Sequence, residues 1–97
     1  MTDPSDRIDI SGIELDPGLA ELREVLAAHV HGAWVALRRA DGWVYGPVRD
    51  DEQKQHPCLV SYEALPDADK AYDREIAMAT LKAVVALGYS ISRTDRG

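Results

Sequence analysis

The sequence predicts a mainly α, small α+β domain: two long packed helices joined by an aromatic and basic segment that holds short β-strands. Three observations predict it. Apolar residues recur at three- and four-residue steps over residues 19–37 and again over 76–85, the period of helices that bury one face. Each run carries helix start and stop residues at its ends. Between them, Gly42, Gly46, Pro47 and Pro57 break the period and limit any strand to a short one.

Residues 1–7 are expected to be a disordered tail, residues 8–91 the folded domain and residues 92–97 a second tail. Ile8, Ile10, Ile13 and Leu15 suit an extended arm laid on the core. Asp16-Pro17 starts a helix: the Asp side chain can cap, and Pro sits where no N–H is needed. Leu19, Leu22, Leu26, Val30, Ala33 and Leu37 then define its expected buried face, with an end near Asp41-Gly42. Val44-Tyr45 and Leu59-Val60 are the expected strands, and Ser61 to Leu65 a single helical turn. Pro66 or Asp67 opens the second helix, with Asp67 and Asp69 in its first turn, where negative charge suits the helix dipole. Its expected stripe is Ile76, Ala77, Thr80, Leu81, Val84 and Val85. Gly88 ends it in a left-handed cap that lets Tyr89 fold back on Val84.

Composition narrows the function. Ninety-seven residues make one small domain. A net charge of −6 argues against a general nucleic-acid or anionic-membrane binder, which needs a basic face. A small anion is still compatible, because a few placed arginines suffice. The single Cys58 forms no disulfide within the chain, so a reducing, cytoplasmic setting is expected. Neither a signal-peptide pattern nor an apolar run of membrane-spanning length stands out.

The chemistry-bearing residues leave ligand binding as the leading class. His29 and His31 lie two apart on a helix and diverge, and His56 with Cys58 supplies two ligands where a zinc site takes more. No metal and no cofactor is expected. Cys58 with His31 or His56 suggests a thiol–imidazole pair, but a lone Cys between Pro57 and Leu59 reads more simply as a small buried side chain. No catalytic residue is assigned. Trp34 on the first helix suits core packing or stacking. Trp43 and Tyr45 alternate with Val44, so in a strand they share a face. Arg49, Lys54 and His56 follow in a loop, where pairing with Asp50, Asp51 and Glu52 competes with holding an anion. Aromatics that stack on a flat ring beside such cations suit a base carrying an anionic group.

At these residues the chain resembles the ryanodine-receptor repeat, the RyR domain. The resemblance rests on His31, Trp34 and Arg38, on Gly42-Trp43-x-Tyr45-Gly46-Pro47-Val48-Arg49-Asp50-Asp51, and on Lys54 and His56-Pro57-Cys58-Leu59-Val60. It continues through Tyr62, Leu65-Pro66, Lys70, Asp73-Arg74, Thr80-Leu81-Lys82 and Ala86-Leu87-Gly88-Tyr89. Ser61 stands where the family often has proline. The resemblance implies a non-enzymatic sensor module for a nucleotide or nucleotide-derived anion, such as an adenine nucleotide, of the kind found in bacteria and phages. It implies that Trp34 stacks on the base and that Arg49, His56 and Cys58 line the same region. Arg38, Arg49 and Lys54 are then expected at the phosphate, with Trp43 and Tyr45 as the wall. Family repeats pair about a pseudo-twofold axis. A chain with one repeat is therefore expected to homodimerise to complete a cleft. A protein–protein interaction module without a small ligand is the competing reading.

Overall fold

The computed structural model describes residues 7–94. Of the two expected tails, only Arg7 and Ser92–Thr94 fall within them, and the rest lies outside the described residues. Arg7 to Asp16 carries no regular structure, and within it Ile10, Ile13 and Leu15 are half-buried. Then come α1 (Pro17–Ala20), α2 (Arg23–Ala40), β1 (Val44–Tyr45), β2 (Gln55–His56), a 3-10 turn (Tyr62–Ala64) and α3 (Asp67–Ala86). Among the described residues no helix is long and apolar enough to cross a membrane.

The expected start at Asp16 holds: its carboxylate accepts from the Gly18 N–H at 2.9 Å. The expected single helix does not. It breaks after one turn, where the Leu22 N–H bonds the Leu19 carbonyl three residues back (3.0 Å) and tightens the chain out of the α-helical run. Both long helices end alike. In α2 the Gly42 N–H bonds the Arg39 carbonyl and the Trp43 N–H bonds the Arg38 carbonyl. In α3 Gly88 bonds Val85 and Tyr89 bonds Val84. This is the paired Schellman pattern, and it needs a left-handed residue after the helix, here Gly42 at φ +89° and Gly88 at φ +100°.

The buried face of α2 differs from the expected one. Ala27 and His31 are buried and Trp34 and Arg38 half-buried, whereas Leu22 and Leu37 are exposed, Leu37 by 73 %. Leu26 and Val30 of the expected face are half-buried, so the inward stripe is widened by one position toward Ala27, His31, Trp34 and Arg38, while its ends at Leu22 and Leu37 are left open. Polar bonds to other elements hold it there. The Arg74 guanidinium donates to both oxygens of Glu24 (2.7 and 2.8 Å), and the Tyr62 hydroxyl donates to the same carboxylate (2.6 Å). His31 bonds the Val60 carbonyl (2.7 Å). Ala27 packs against Tyr62 and Leu65 where α2 meets the 3-10 turn, with Ala28, Cys58 and Val60 around them. On α3, Ala77 is buried and Leu81 and Val85 half-buried, while Ile76, Thr80 and Val84 stay exposed.

The expected strand at Val44-Tyr45 is present, but its partner is Gln55–His56, not Leu59-Val60. The two run parallel, Val44 opposite Gln55 and Tyr45 opposite His56. A parallel pair joined by so short a connection needs two reversals. The first follows Gly46. The second is a tight loop in which Asp50 and Gln55 exchange backbone bonds (both 2.9 Å), while the Asp50 carboxylate accepts from the Glu52 and Gln53 N–H groups. Gly46 is required for closeness: a Cβ there would lie 2.6 Å from the Cβ of Gln55.

Candidate ligand-binding groove

Trp34 is the centre of an aromatic and cationic cluster built by α2 and the segment after it. His31, one turn earlier, stacks on it with ring centroids 5.7 Å apart. His56, carried in by β2, meets it edge-on at 5.0 Å. The Arg38 guanidinium, one turn later, lies 5.6 Å from the Trp34 ring and 4.8 Å from the Trp43 ring. The Arg38–Trp43 contact follows from the helix end. The two residues occupy the positions that a Schellman motif usually joins by an apolar contact, and here a cation–π pair takes its place.

Beside this cluster a groove of about 240 Å³ opens between α2 and α3. Trp34, His31 and Val30 line it from α2, His56 and Cys58 from the connecting segment, and Asp69, Tyr72 and Asp73 from α3. The Cys58 N–H donates to His56 Nδ1 (3.0 Å), which leaves the hydrogen of a neutral His56 on Nε2. Burial lowers the His56 pKa, and the positive charges of Arg49 and Arg38 add to the effect, against Asp51 and Asp69. Burial raises the Cys58 thiol, and the Asp69 carboxylate, 3.9 Å from Sγ, pushes the same way. This thiol favours its protonated form, and His56 Nδ1 is occupied by a backbone N–H, not by the sulfur. Burial also raises Asp73, against the pull of His31.

The structure gathers some of the expected site residues and disperses others. Trp34, His56 and Cys58 line the groove, and Arg38 stands against Trp34. Trp43 is 7 % exposed and belongs to the core, while Tyr45 is 57 % exposed, so the two do not share one wall. Trp43 precedes the strand as the last residue of the helix cap, which removes it from the alternation. The Arg49 side chain pairs with Asp51 at 2.9 Å on the surface. Lys54 donates to the Asp41 carbonyl at 2.9 Å, where a cation suits the C-terminus of α2. Sequence reasoning missed Asp69, Tyr72 and Asp73 as groove residues. Their i, i+3, i+4 spacing puts them on one helix face, but nothing in it marks that face as turned to Trp34. Among the described residues no group of three His, Cys, Asp or Glu side chains is placed to hold a metal ion.

One family model, described as the RyR domain, matches residues 4–93. The match spans the arm, both long helices and every residue of the groove. The chain belongs to the RyR domain family.

Proposed function

We propose that this RyR domain is a non-enzymatic ligand-binding module whose groove takes a nucleotide or nucleotide-derived anion, with the base against Trp34. The supporting observation is the division of charge around that ring. Arg38 lies against Trp34, while Asp69 and Asp73 occupy the α3 side of the groove. A ligand with an anionic end and a hydrogen-bond-donating ring suits such a site. The phosphate then belongs at the Arg38 end, and Arg49 reaches it by exchanging Asp51 for a stronger anion.

Calorimetry with adenine nucleotides, cyclic nucleotides and ADP-ribose tests the reading. Micromolar binding, about −8 kcal/mol, is expected for at least one. Affinities no better than millimolar across the set would overturn it. Trp34→Ala should abolish binding while the circular dichroism spectrum keeps its helical form, since Trp34 is only half-buried.

The groove is open on its α3 side, where Tyr72 is 70 % exposed. We propose that a second copy of the chain covers it and completes the site. Light scattering should find a dimer that tightens with ligand. A module that docks another protein is the second reading, favoured by the exposed Tyr72, Ile76 and Leu87 of α3 and its C-terminal cap. A strict monomer that binds the nucleotide would remove the pairing and leave the ligand reading intact.

A further inference from the structure

The inner end of the groove is short of hydrogen-bond donors. His31 is the clearest case. Its side chain is only 6 % exposed, and its Nε2–H is committed to the Val60 carbonyl at 2.7 Å. The neutral ring therefore carries a lone pair on Nδ1. That atom makes no hydrogen bond among the described residues, and Asp73 Oδ2 faces it at 4.0 Å. In the neutral form of His31 two acceptors thus face each other across a gap wider than a hydrogen bond. The Asp73 carboxylate has no hydrogen-bond donor among the described residues, and Asp69 has only the long contact from the Cys58 thiol.

The cations of α3 nearby do not relieve this. Arg74 is held by Glu24, and Lys70 lies over the Tyr62 ring, 5.7 Å from its centroid. Neither lines the groove. The walls are aromatic, from Trp34 and Tyr72. The volume, about 240 Å³, is below the roughly 300–1,000 Å³ of sites that enclose a drug-sized molecule, so it holds a ring and leaves the rest of a nucleotide outside it.

We propose that Asp73, Asp69 and His31 Nδ1 form an acceptor set that selects a planar ring by an exocyclic amine or amidinium edge. This rests on the groove being a ligand site but not on the ligand carrying phosphate. A ring that presents N–H groups fills the gap between His31 and Asp73. A ring with a carbonyl at that edge sets a further acceptor against three. Sites whose polar groups are left unpaired reject such analogues strongly.

Adenosine and inosine exchange an amine for a carbonyl on one ring, and benzamidine offers an amidinium without a nucleoside. Calorimetry with each is run on the full chain and on Asp73→Asn and Asp69→Asn, alongside the nucleotide set above. Adenosine is expected to bind ~10-fold or more tightly than inosine, and each Asn variant to shrink that ratio. If Asp73→Asn does not fold, Asp69→Asn carries the comparison. The 15N shift of His31 Nδ1 should move from an unbonded to a hydrogen-bonded value as adenosine is added, a change that a merely structural histidine does not make. Equal binding of adenosine and inosine would overturn the proposal and leave the nucleotide reading standing. Benzamidine binding that Asp73→Asn removes, with no nucleoside or nucleotide bound, would uphold the acceptor set and overturn the nucleotide reading. No binding of any probe would overturn both.

Discussion

Glu24 joins three parts of the molecule through one carboxylate: α2, which carries it, Arg74 of α3 and Tyr62 of the 3-10 turn. The bidentate Arg74 bonds, followed by the Tyr62 hydroxyl, hold its pKa down to about 2 from an ordinary 4.5. Between those values the unfolded chain binds the extra proton, so stability rises with pH there. The clamp is at full strength above pH 4.5 and is lost as pH drops toward 2. Asp73, whose pKa is raised from 3.8, works in the opposite sense and loses stabilisation as pH rises above that ordinary value. Glu24→Gln separates the two. It should lower the melting temperature at pH 7 and flatten the acid limb below pH 4.5. An unchanged acid limb in the variant would show that other carboxylates govern it.

At the scale of elements, the loop between β1 and β2 sets where His56 stands. Gly46 lets the chain pass Gln55 with no Cβ between them. Gly46→Ala should cost about 1–3 kcal/mol as the backbone is pushed apart and should weaken any ligand that leans on His56. A melting temperature equal to wild type would show that the loop yields freely. The helix ends on either side were legible in the sequence, because Asp16, Pro17, Gly42 and Gly88 each act through their own backbone geometry. The face of α2 was not. Leu22 and Leu37 advertise a core by composition, yet bonds from Glu24 and His31 to distant partners draw the Ala27 and His31 side inward and leave both leucines open. The strand at Gln55–His56 was hidden for a related reason: it pairs through backbone, and its side chains carry no apolar alternation. In the groove, aromatic and sulfur residues stood out, whereas Asp69 and Asp73 look in sequence like any solvated helical acids.

The whole molecule is held by a thin core. Among the described residues no large side chain is fully buried, and Val25, Leu37, Val48 and Leu87 lie open. A domain of this size with so little apolar burial sits at the low end of the usual ~5–15 kcal/mol. Binding energy is then a large share of its stability. A ligand at one hundred times its Kd adds about 2.7 kcal/mol, which for a domain near 100 residues raises the melting temperature by about 10–20 °C. Saturating ligand that leaves the melting curve in place would contradict binding to the folded state. The open apolar positions on α2 and α3 also offer area for the proposed pairing, which needs roughly 800 Å² from each partner.

The two tryptophans stand in different surroundings, and this gives the domain an optical signal of its own. Trp43 is shielded and touches a guanidinium, while Trp34 is half-exposed between two imidazoles. A protonated imidazole accepts an electron from excited indole and quenches it, and a neutral one does so far less. Since His56 titrates below the ordinary 6.5, its share of the quenching should set in only beneath that pH, dimming the red-shifted part of the emission more than the blue, because its ring lies 5.0 Å from Trp34 and 6.3 Å from Trp43. Trp43→Phe should keep most of this response and Trp34→Phe should weaken it. The groove therefore reports on its own protonation and occupancy in unlabelled protein, through light emitted at its wall.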